Sequence, residues 1–426
     1  MESHVAQPNL IAPVARYRWP RLILPTPSYI NTGTEGGGSG WGQLGTATLA
    51  ADTTNYEAWD VPVATARRQG TKITPTGAGA TNDGAWMNVL PADVGQDWRY
   101  KDAFVRLYLH PGTPGEADSF DNITYIKGAV YTAADAGGTS KYVYFARPAY
   151  SNTLGWSGWH TFYWPRPQGY ANAIKSFSIY RTGPIAAGPV WTFDNLVVYP
   201  AAGTYGYVSF MFDKGYKDQF WAGRLLHQNG ISGQFNVSPA FVGQTGYMTL
   251  DQIRLLRGMG HRICCYPSGM NAGEWTAWYL QTLARKKRNL LGCQQWLRDH
   301  SLADGTSEYV MSTPGSGFNL DDVSLFQDRY FLAITGTSWL TQLWSPYAVD
   351  LCNGFVPYLN AVGASASDAL ASANISREWI NVMGHIASTD PGSAEGFLIL
   401  LTQALGYIAA GTMRSTTISD ILEGKV

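Results

Sequence analysis

The apolar positions of the chain follow different periods in its two halves. Residues 41–200 contain short segments rich in aromatic and β-branched residues, separated by Gly, Pro, Asn and Asp. This pattern is typical of strands joined by turns, and no helical period interrupts it. It predicts an antiparallel β-sandwich or jelly roll. The clearest predicted strands are Phe104–His110, Asn122–Tyr131, Tyr142–Ala146, Gly158–Trp164, Phe177–Arg181 and Trp191–Tyr199.

Strand and helix patterns alternate from Tyr207 onward. In chain order we predict strand Val208–Phe212, helix Asp218–Asn229, strand Gly233–Val237, helix Thr249–Gly258 and strand His261–Cys265. This order indicates a parallel sheet wrapped by helices. Ligand sites in such sheets lie beyond the carboxyl ends of the strands, where Asp213 and Tyr266 are found.

Two motifs follow those strands: Met211–Gly215 (MFDKG) and Gly260–Met270 (GHRICCYPSGM). They resemble the T-F-D-D-G and G-H-E-I-G-S-H-T-x-x-H motifs of the polysaccharide deacetylase (NodB homology) family. The resemblance covers about residues 205–424 and implies an α/β fold, a distorted β/α barrel. Further segments that resemble the family are Gly230–Val237, Met248–Leu256, Met311–Asn319 (with Ser312 where many members carry arginine), Val382–His385 and Ala410–Leu422.

The resemblance also implies roles for individual residues. In the family the first aspartate is the general base, and a second aspartate and two histidines hold zinc or a similar ion. Carried over, the base is Asp213, but the metal positions are Lys214, Tyr266 and Met270, and His385 ends the later strand. An ammonium repels a dication, a phenol stays protonated near neutrality, and a thioether prefers softer ions.

The sequence therefore predicts no metal, no cofactor and loss of the family's hydrolytic activity, with Asp213 and His385 vestigial. The alternative is a divergent active deacetylase, or another glycan hydrolase, that uses Asp213. Both residues also have purely structural interpretations. Asp213 could cap the following turn or pair with Lys214 or Lys217, and His385 could be a core or groove histidine.

An aromatic cluster occupies residues 156–164 (WSGWHTFYW). Alternation places Trp159, Thr161 and Tyr163 on one face of a strand. That face is either core or a platform on which sugar rings stack through their apolar C–H faces. The predicted glycan contacts are Trp159, Tyr163 and Tyr266. The Asp-Asn pair in WTFDNLVVY resembles the last strand of carbohydrate-binding jelly-roll modules, so the N-terminal half is expected to be carbohydrate-binding-like. The pair also suits a bulge or a polar outer face.

Composition limits the partners. The net charge is −1 and charged residues make up 14% of the chain, which argues against nucleic acid. No apolar run is long enough to span a membrane. The basic run Arg285–Arg288 follows a predicted helix, Trp275–Leu283, and is interpreted as a solvated face or as helix C-terminal charge. The adjacent Cys264 and Cys265 are interpreted as small hydrophobic residues.

The predicted organisation is an extended proline-rich arm at residues 1–30, a β-sandwich at 31–200 and a deacetylase-like domain at 201–426. The arm would dock on a neighbouring subunit, or would be a flexible terminus. No signal-peptide pattern opens the chain. We therefore expect a protein made in the cytoplasm and released as a bacteriophage virion component: a tail fibre, tailspike or capsid decoration. A bacterial protein exported by another route, or a cytosolic one, is the alternative.

The function predicted from these features is binding of a surface polysaccharide without processing it. The expected partners are the glycan and either further copies of this chain or other virion proteins.

The change of period at the linker generates a prediction. Cleavage between Pro200 and Tyr205 should yield two independently folded fragments, the first all-β and the second α/β. Circular dichroism of residues 205–426 should show substantial helix and cooperative melting. A disordered fragment would mean that the two halves share one core.

Overall fold

The structure is a computed structural model. It describes residues 28–30, 41–54, 70–74, 83–88, 101–110, 125–131, 140–146, 158–164, 175–182, 190–200, 204–272, 274–315, 333–337, 355–360, 364–386 and 391–425. Most of the predicted arm and the linker residues 201–203 lie outside these ranges. The last three residues of the arm, Ser28–Ile30, form a strand that pairs within the chain.

The N-terminal half is built from antiparallel strands, as predicted. They are β1 Ser28–Ile30, β2 Trp41–Leu44, β3 Thr48–Asp52, β4 Gly70–Thr74, β5 Asp83–Asn88, β6 Lys101–Leu109, β7 Tyr125–Tyr131, β8 Ser140–Ala146, β9 Gly158–Trp164, β10 Ser176–Thr182 and β11 Trp191–Pro200. The strands between residues 41 and 88 were not predicted individually.

These strands form two sheets. The first has the order β3-β4-β11-β6-β9, with β1 also paired to β11, and the second has the order β2-β5-β10-β7-β8. The rings of Phe193 in the first sheet and Phe177 in the second lie 6.2 Å apart, so the two sheets contact each other through buried aromatic residues. A sandwich with jelly-roll connectivity remains a prediction.

The C-terminal half contains one sheet whose strands all pair in parallel. They are β12 Gly206–Lys214, β13 Gln234–Val237, β14 Arg262–Cys265, β15 Val310–Ser312, β16 Ala333–Thr337, β17 Phe355–Asn360, β18 Trp379–Gly384 and β19 Met413–Ser415. The order runs from β13 through β18 to β12, and β12 also pairs with β13. The sheet therefore curls back on itself, consistent with the expected distorted β/α barrel.

Helices lie between these strands, as the alternating pattern predicts. They are α1 Gln219–Gln228, α2 Leu250–Gly258, α3 Leu283–Asp299, α4 Ala364–Ser376, α5 Pro391–Ala409 and α6 Ile418–Leu422. In α2, Thr249 and Gln252 form a reciprocal capping box, worth about 1 kcal/mol. Among the described helices, none combines the length and apolar character that a bilayer span requires.

The strand β12 separates an apolar face from a polar one. Val208, Phe210 and Phe212 join the buried core that the helices cover, and Phe212 stacks on Phe235 with ring centroids 4.8 Å apart. Ser209 and Asp213, on the opposite face, point to the inside of the curl. The inward face follows from this alternation, because every second residue must face away from the helices, and it carries Met211 as well as the polar Ser209 and Asp213.

The segment before α3 corrects two predictions. Residues 275–283 do not form a helix, and the structure has only a short 3-10 turn at Trp278–Leu280. The helix begins instead after Thr282, whose side chain accepts a hydrogen bond from the backbone of Arg285. The basic run therefore lies in the first turns of α3, not at a helix C-terminus.

The basic run is also not simply a solvated face. Arg285 and Arg288 each donate to Glu274 Oε1 at 2.9 Å, while Lys286 is fully buried with its ammonium 5.4 Å from the Trp278 ring. The guanidinium groups of Arg285 and Arg288 therefore hold the loop that carries Glu274.

A buried arginine closes the amino-terminal end of the curl. Arg262 is 8% exposed and donates to Asp304 at 2.7 Å, Asp420 at 2.6 Å and Glu423 at 3.2 Å. Burial acts to raise the pKa of Asp420, but hydrogen bonds from Arg262 and Thr417 and the arginine charge outweigh it, and the pKa is lowered. The cluster joins β14 to α6, which is distant in sequence.

Replacing this arginine should be costly. We expect Arg262→Met to lower the free energy of unfolding by about 3–5 kcal/mol, because three carboxylates lose their buried cation. Urea denaturation followed by circular dichroism measures it. The matched control is Arg254→Met: its partner Asp251 is 87% exposed, so the expected change is below about 0.5 kcal/mol.

The same cluster predicts a pH dependence. The pKa of Asp420 is lower in the folded protein than in the unfolded chain, so its contribution is complete above the unfolded value and is lost as the pH falls below about 4. Arg262→Met should lose less stability than the wild type over that range. Parallel losses would show that the ion pairs do not cause the shift.

Candidate functional site

The carboxyl ends of the parallel strands bring the predicted catalytic residues to one edge. Phe212 pairs with Gly384, so Asp213 and His385 follow side by side on neighbouring strands. Asp213 also pairs with Asn236 of β13. Tyr266 follows β14 at the same edge.

The carboxylate of Asp213 is buried and fully hydrogen-bonded. Its side chain is 2% exposed; Asn236 Nδ2 donates to Oδ1 at 2.7 Å, and Ser312 Oγ donates to Oδ2 at 2.7 Å. Ser312 lies three strands away and reaches across the inside of the curl. Both Asp213 oxygens are thus held by neutral donors.

Two glutamines support this arrangement. Gln234 Nε2 donates to Asn236 Oδ1 at 3.0 Å, which turns the amide nitrogen of Asn236 toward Asp213. Gln219 Nε2 donates to the backbone oxygen of Asp213 at 2.7 Å. The sequence analysis missed Asn236 and both glutamines. The sequence did contain a signal for Gln234 and Asn236, because polar residues at alternate positions of the buried strand QFNV mark one inward face.

Lys214 ends β12 and turns away from the aspartate. Its Nζ donates to the hydroxyl of Tyr216 at 3.2 Å and lies 5.5 Å from that ring's centroid. The possible pairing of Asp213 with Lys214 or Lys217 is not found: among the described residues, the carboxylate has no cation at salt-bridging distance. Capping by Asp213 is not seen either, since both its oxygens bind side chains.

Tyr266 and Met270 occupy the other two positions at which the resemblance implies metal ligands, and both side chains are engaged in packing. Tyr266 is only 1% exposed, so a sugar ring would reach it only after a rearrangement of its surroundings, and its glycan contact stays a prediction. Met270 packs against α3 so closely that a Cβ on Gly292 would lie 2.9 Å from its sulfur. The backbone of Met270 is fixed by a 3.1 Å hydrogen bond to Glu274.

The donor set does not fit zinc. An ammonium, a buried phenol and a packed thioether replace carboxylate and imidazole ligands, and the oxygens of Asp213 are already engaged. Within the ranges that the structure describes, no group of three or more His, Cys, Asp or Glu side chains could hold a metal ion.

Aromatic side chains lie on the loops at this edge. Tyr216 and Tyr247 stack with centroids 5.2 Å apart, and Tyr247 stacks on Phe241 at 4.6 Å. Burial raises the pKa of Tyr247, and its interaction with Tyr216 raises that pKa further. Trp275, on the loop after β14, is 50% exposed. The sequence analysis did not single out these rings, because their grouping depends on loops that meet only in the fold.

The register of β9 places Trp159 and Tyr163 on one face of the first sheet. Trp159 pairs with Tyr108, and Tyr163 pairs with Phe104. Tyr108 in turn pairs with Thr192, on the face opposite to Phe193. Phe193 contacts the second sheet, so Tyr108 and Thr192 lie on the opposite face of the first sheet.

A buried polar cluster lies on the same face. His110 Nε2 contacts Thr192 Oγ1 at 2.7 Å and Asp52 Oδ2 at 3.1 Å, and Thr192 donates to Asp52 at 2.6 Å. Burial lowers the pKa of His110 despite the raising effect of Asp52. Both partners contact the same ring nitrogen, so the cluster lacks the geometry of a catalytic relay, in which two nitrogens are used.

No protein-family model matches the chain, and no curated protein is significantly similar to it in sequence. Solved structures of deacetylases and of carbohydrate-binding modules are similar to parts of it. The chitin deacetylase of Colletotrichum lindemuthianum is 13% identical over 51% of this chain and 88% of its own, with a TM-score of 0.35.

Two further structures share this partial likeness. One is a CE4 domain of a multidomain xylanase from the hindgut metagenome of Trinervitermes trinervoides: it is 12% identical over 52% of this chain and 91% of its own, with a TM-score of 0.36. The other is the C-terminal family 22 carbohydrate-binding module of Clostridium thermocellum Xyn10B, 16% identical over 41% and 95%, with a TM-score of 0.27. At these identities and scores, none of the three establishes what this chain binds or does.

The side chains of Lys214, Tyr266 and Met270, at the positions where the resemblance implies metal ligands, generate a prediction. Purified protein should contain no zinc, cobalt or nickel above trace levels and should release no acetate from acetylated chitooligosaccharides or peptidoglycan. Elemental analysis and an acetate assay measure these two quantities. Stoichiometric metal that is lost in Asp213→Ala or His385→Ala would contradict the prediction.

Proposed function

We propose that the protein binds a surface polysaccharide without hydrolysing it. The observation that carries this proposal is the state of Asp213, which is buried with both carboxylate oxygens bound by Asn236 and Ser312. A general base must come within about 2.6–3.2 Å of the proton that it removes. Here the carboxylate is buried, and a water molecule would have to reach it beside two protein donors that already occupy one acceptor site on each oxygen.

Loss of the metal ligands points in the same direction. A metal ion would polarise the substrate carbonyl and activate water, each worth several kcal/mol of barrier. With Lys214, Tyr266 and Met270 at the ligand positions, these contributions have no source among those residues. Asp213 and His385 are proposed to be vestigial. The alternative, hydrolysis by Asp213, would need a rearrangement of its hydrogen bonds.

A binding surface does not need the ion. Trp275 and Tyr216 offer rings at the edge formed by the strand ends, and sugars stack on such rings through their C–H faces. Trp159 and Tyr163 of β9 are proposed as a second surface, because strand alternation places them on one face.

Multiple copies would make weak contacts useful. One stacked site binds on the order of millimolar to micromolar, and presentation of several copies on one particle raises avidity by orders of magnitude. We therefore propose a virion location, as a tail fibre, tailspike or capsid decoration with copies of itself or other virion proteins as neighbours. Mass spectrometry of purified particles tests the location directly.

Glycan binding is tested by pull-down of the protein, presented at multivalent density, on cell-wall and capsular polysaccharides. Trp275→Ala and Trp159→Ala should each weaken retention, because a stacking ring is lost. The matched control is Trp221→Ala: this tryptophan is 44% exposed but lies on α1, against Phe397. No binding by the wild type, or equal binding by all four proteins, would refute the proposal.

A further inference from the structure

Among the described residues, the ammonium of Lys214 has no acidic partner. Its Nζ is partly exposed and contacts only the hydroxyl and ring of Tyr216, and no carboxylate of the described residues lies at salt-bridging distance. The nearest acid in sequence, Asp213, has both oxygens engaged by neutral donors. Within the part of the chain that the structure describes, no ion pair neutralises the charge of this lysine.

The backbone at Lys214 is strained. Its φ is +72°, in the left-handed region that side chains other than glycine rarely adopt, and Gly215 follows with φ +78°. Strain of this kind persists only where the surroundings fix it, and it concentrates at functional sites. The sharp turn directs the lysine toward Tyr216 and away from Asp213.

The loops around the lysine are fixed by backbone hydrogen bonds. Met248 donates to Gly215 at 2.9 Å and Lys217 donates to Gly246 at 2.9 Å, while Tyr216 and Tyr247 form an antiparallel bridge. The ammonium and the end of the Tyr216–Tyr247–Phe241 ring stack are therefore held together before any ligand arrives. Such preorganisation lowers the entropy lost on binding.

We infer that this lysine–tyrosine corner, defined by Lys214, Tyr216 and Tyr247, recognises a glycan unit that carries a negative charge. An aromatic ring suits the apolar face of a sugar, and an unpaired ammonium beside it suits a carboxylate or phosphate substituent. Across residues 213–218 the charges of Lys214 and Lys217 balance those of Asp213 and Asp218, but Asp213 is buried, so the ammonium of Lys214 is the charge that the corner presents. The inference rests on the proposed glycan binding and narrows its ligand.

The experiment compares ligands that share a backbone but differ in charge. Full-length protein is titrated with polygalacturonate, with the same polymer after reduction of its carboxyl groups, and with a poly(glycerol phosphate) teichoic acid. The wild type should prefer at least one anionic polymer over the neutral one. That preference should fall as salt is raised from about 0.05 to 0.5 M, because screening weakens an exposed charge contact.

Variants of the lysine locate the effect. Lys214→Met removes the charge from a side chain of similar length and should weaken anionic binding roughly five- to tenfold. Lys214→Arg should retain the preference. Lys217→Met is the matched control, since it removes an exposed lysine from the same loop. Thermal melts verify that each variant is folded.

The outcomes distinguish failure of the anionic-ligand inference from failure of the proposed glycan binding. Preference for polygalacturonate alone indicates a carboxylate ligand, and preference for teichoic acid alone indicates a phosphate. Unchanged anionic binding in Lys214→Met, or an equal loss in Lys217→Met, would overturn the inference while glycan binding stands. Absence of binding to neutral and anionic glycans alike, including the cell-wall and capsular panel, would contradict the proposed function itself.

Discussion

The arrangement at the strand ends depends on one buried carboxylate. Asp213 lies inside the curl of the parallel sheet, where an isolated charge would be costly, and its neighbours there are an amide and a hydroxyl rather than a cation or a metal. Hydrogen bonds from neutral donors stabilise the charge by supplying what water would have supplied. Loss of either donor would leave a buried oxygen without a partner, at a cost of about 1–3 kcal/mol.

That hydrogen-bond network also ties distant parts of the chain together. Asn236 comes from the adjacent strand, whereas Ser312 comes from across the curl. At the opposite end, Arg262 is held by three carboxylates from the loop after α3 and from the C-terminus. The polar interior of the sheet is thus fixed at one end by an anion with neutral donors and at the other by a cation with three acids.

The properties of the strand-end edge depend on the fact that Asp213 contacts no cation among the described residues. Lys214 is free to turn outward because the aspartate needs no ammonium, and it joins an aromatic stack that loops from two strands assemble. Tyr266 is buried and Met270 packs against α3, so both side chains contribute to packing.

The sequence by itself determined the change from antiparallel strands to alternating strands and helices, the buried strand ending at Asp213 and the residue types Lys214, Tyr266 and Met270 at the motif positions. These features are local: they depend on periodicity and on residue type at a motif position. It misplaced the helix before Arg285, because the cap at Thr282 outweighed an apolar run. Only the tertiary structure showed that Tyr266 is buried, that Ser312 reaches Asp213 and that Tyr216 stacks on Tyr247. The physical reason is that these contacts join residues far apart in the chain, and their distances are set by how the sheet curls, which no local pattern encodes.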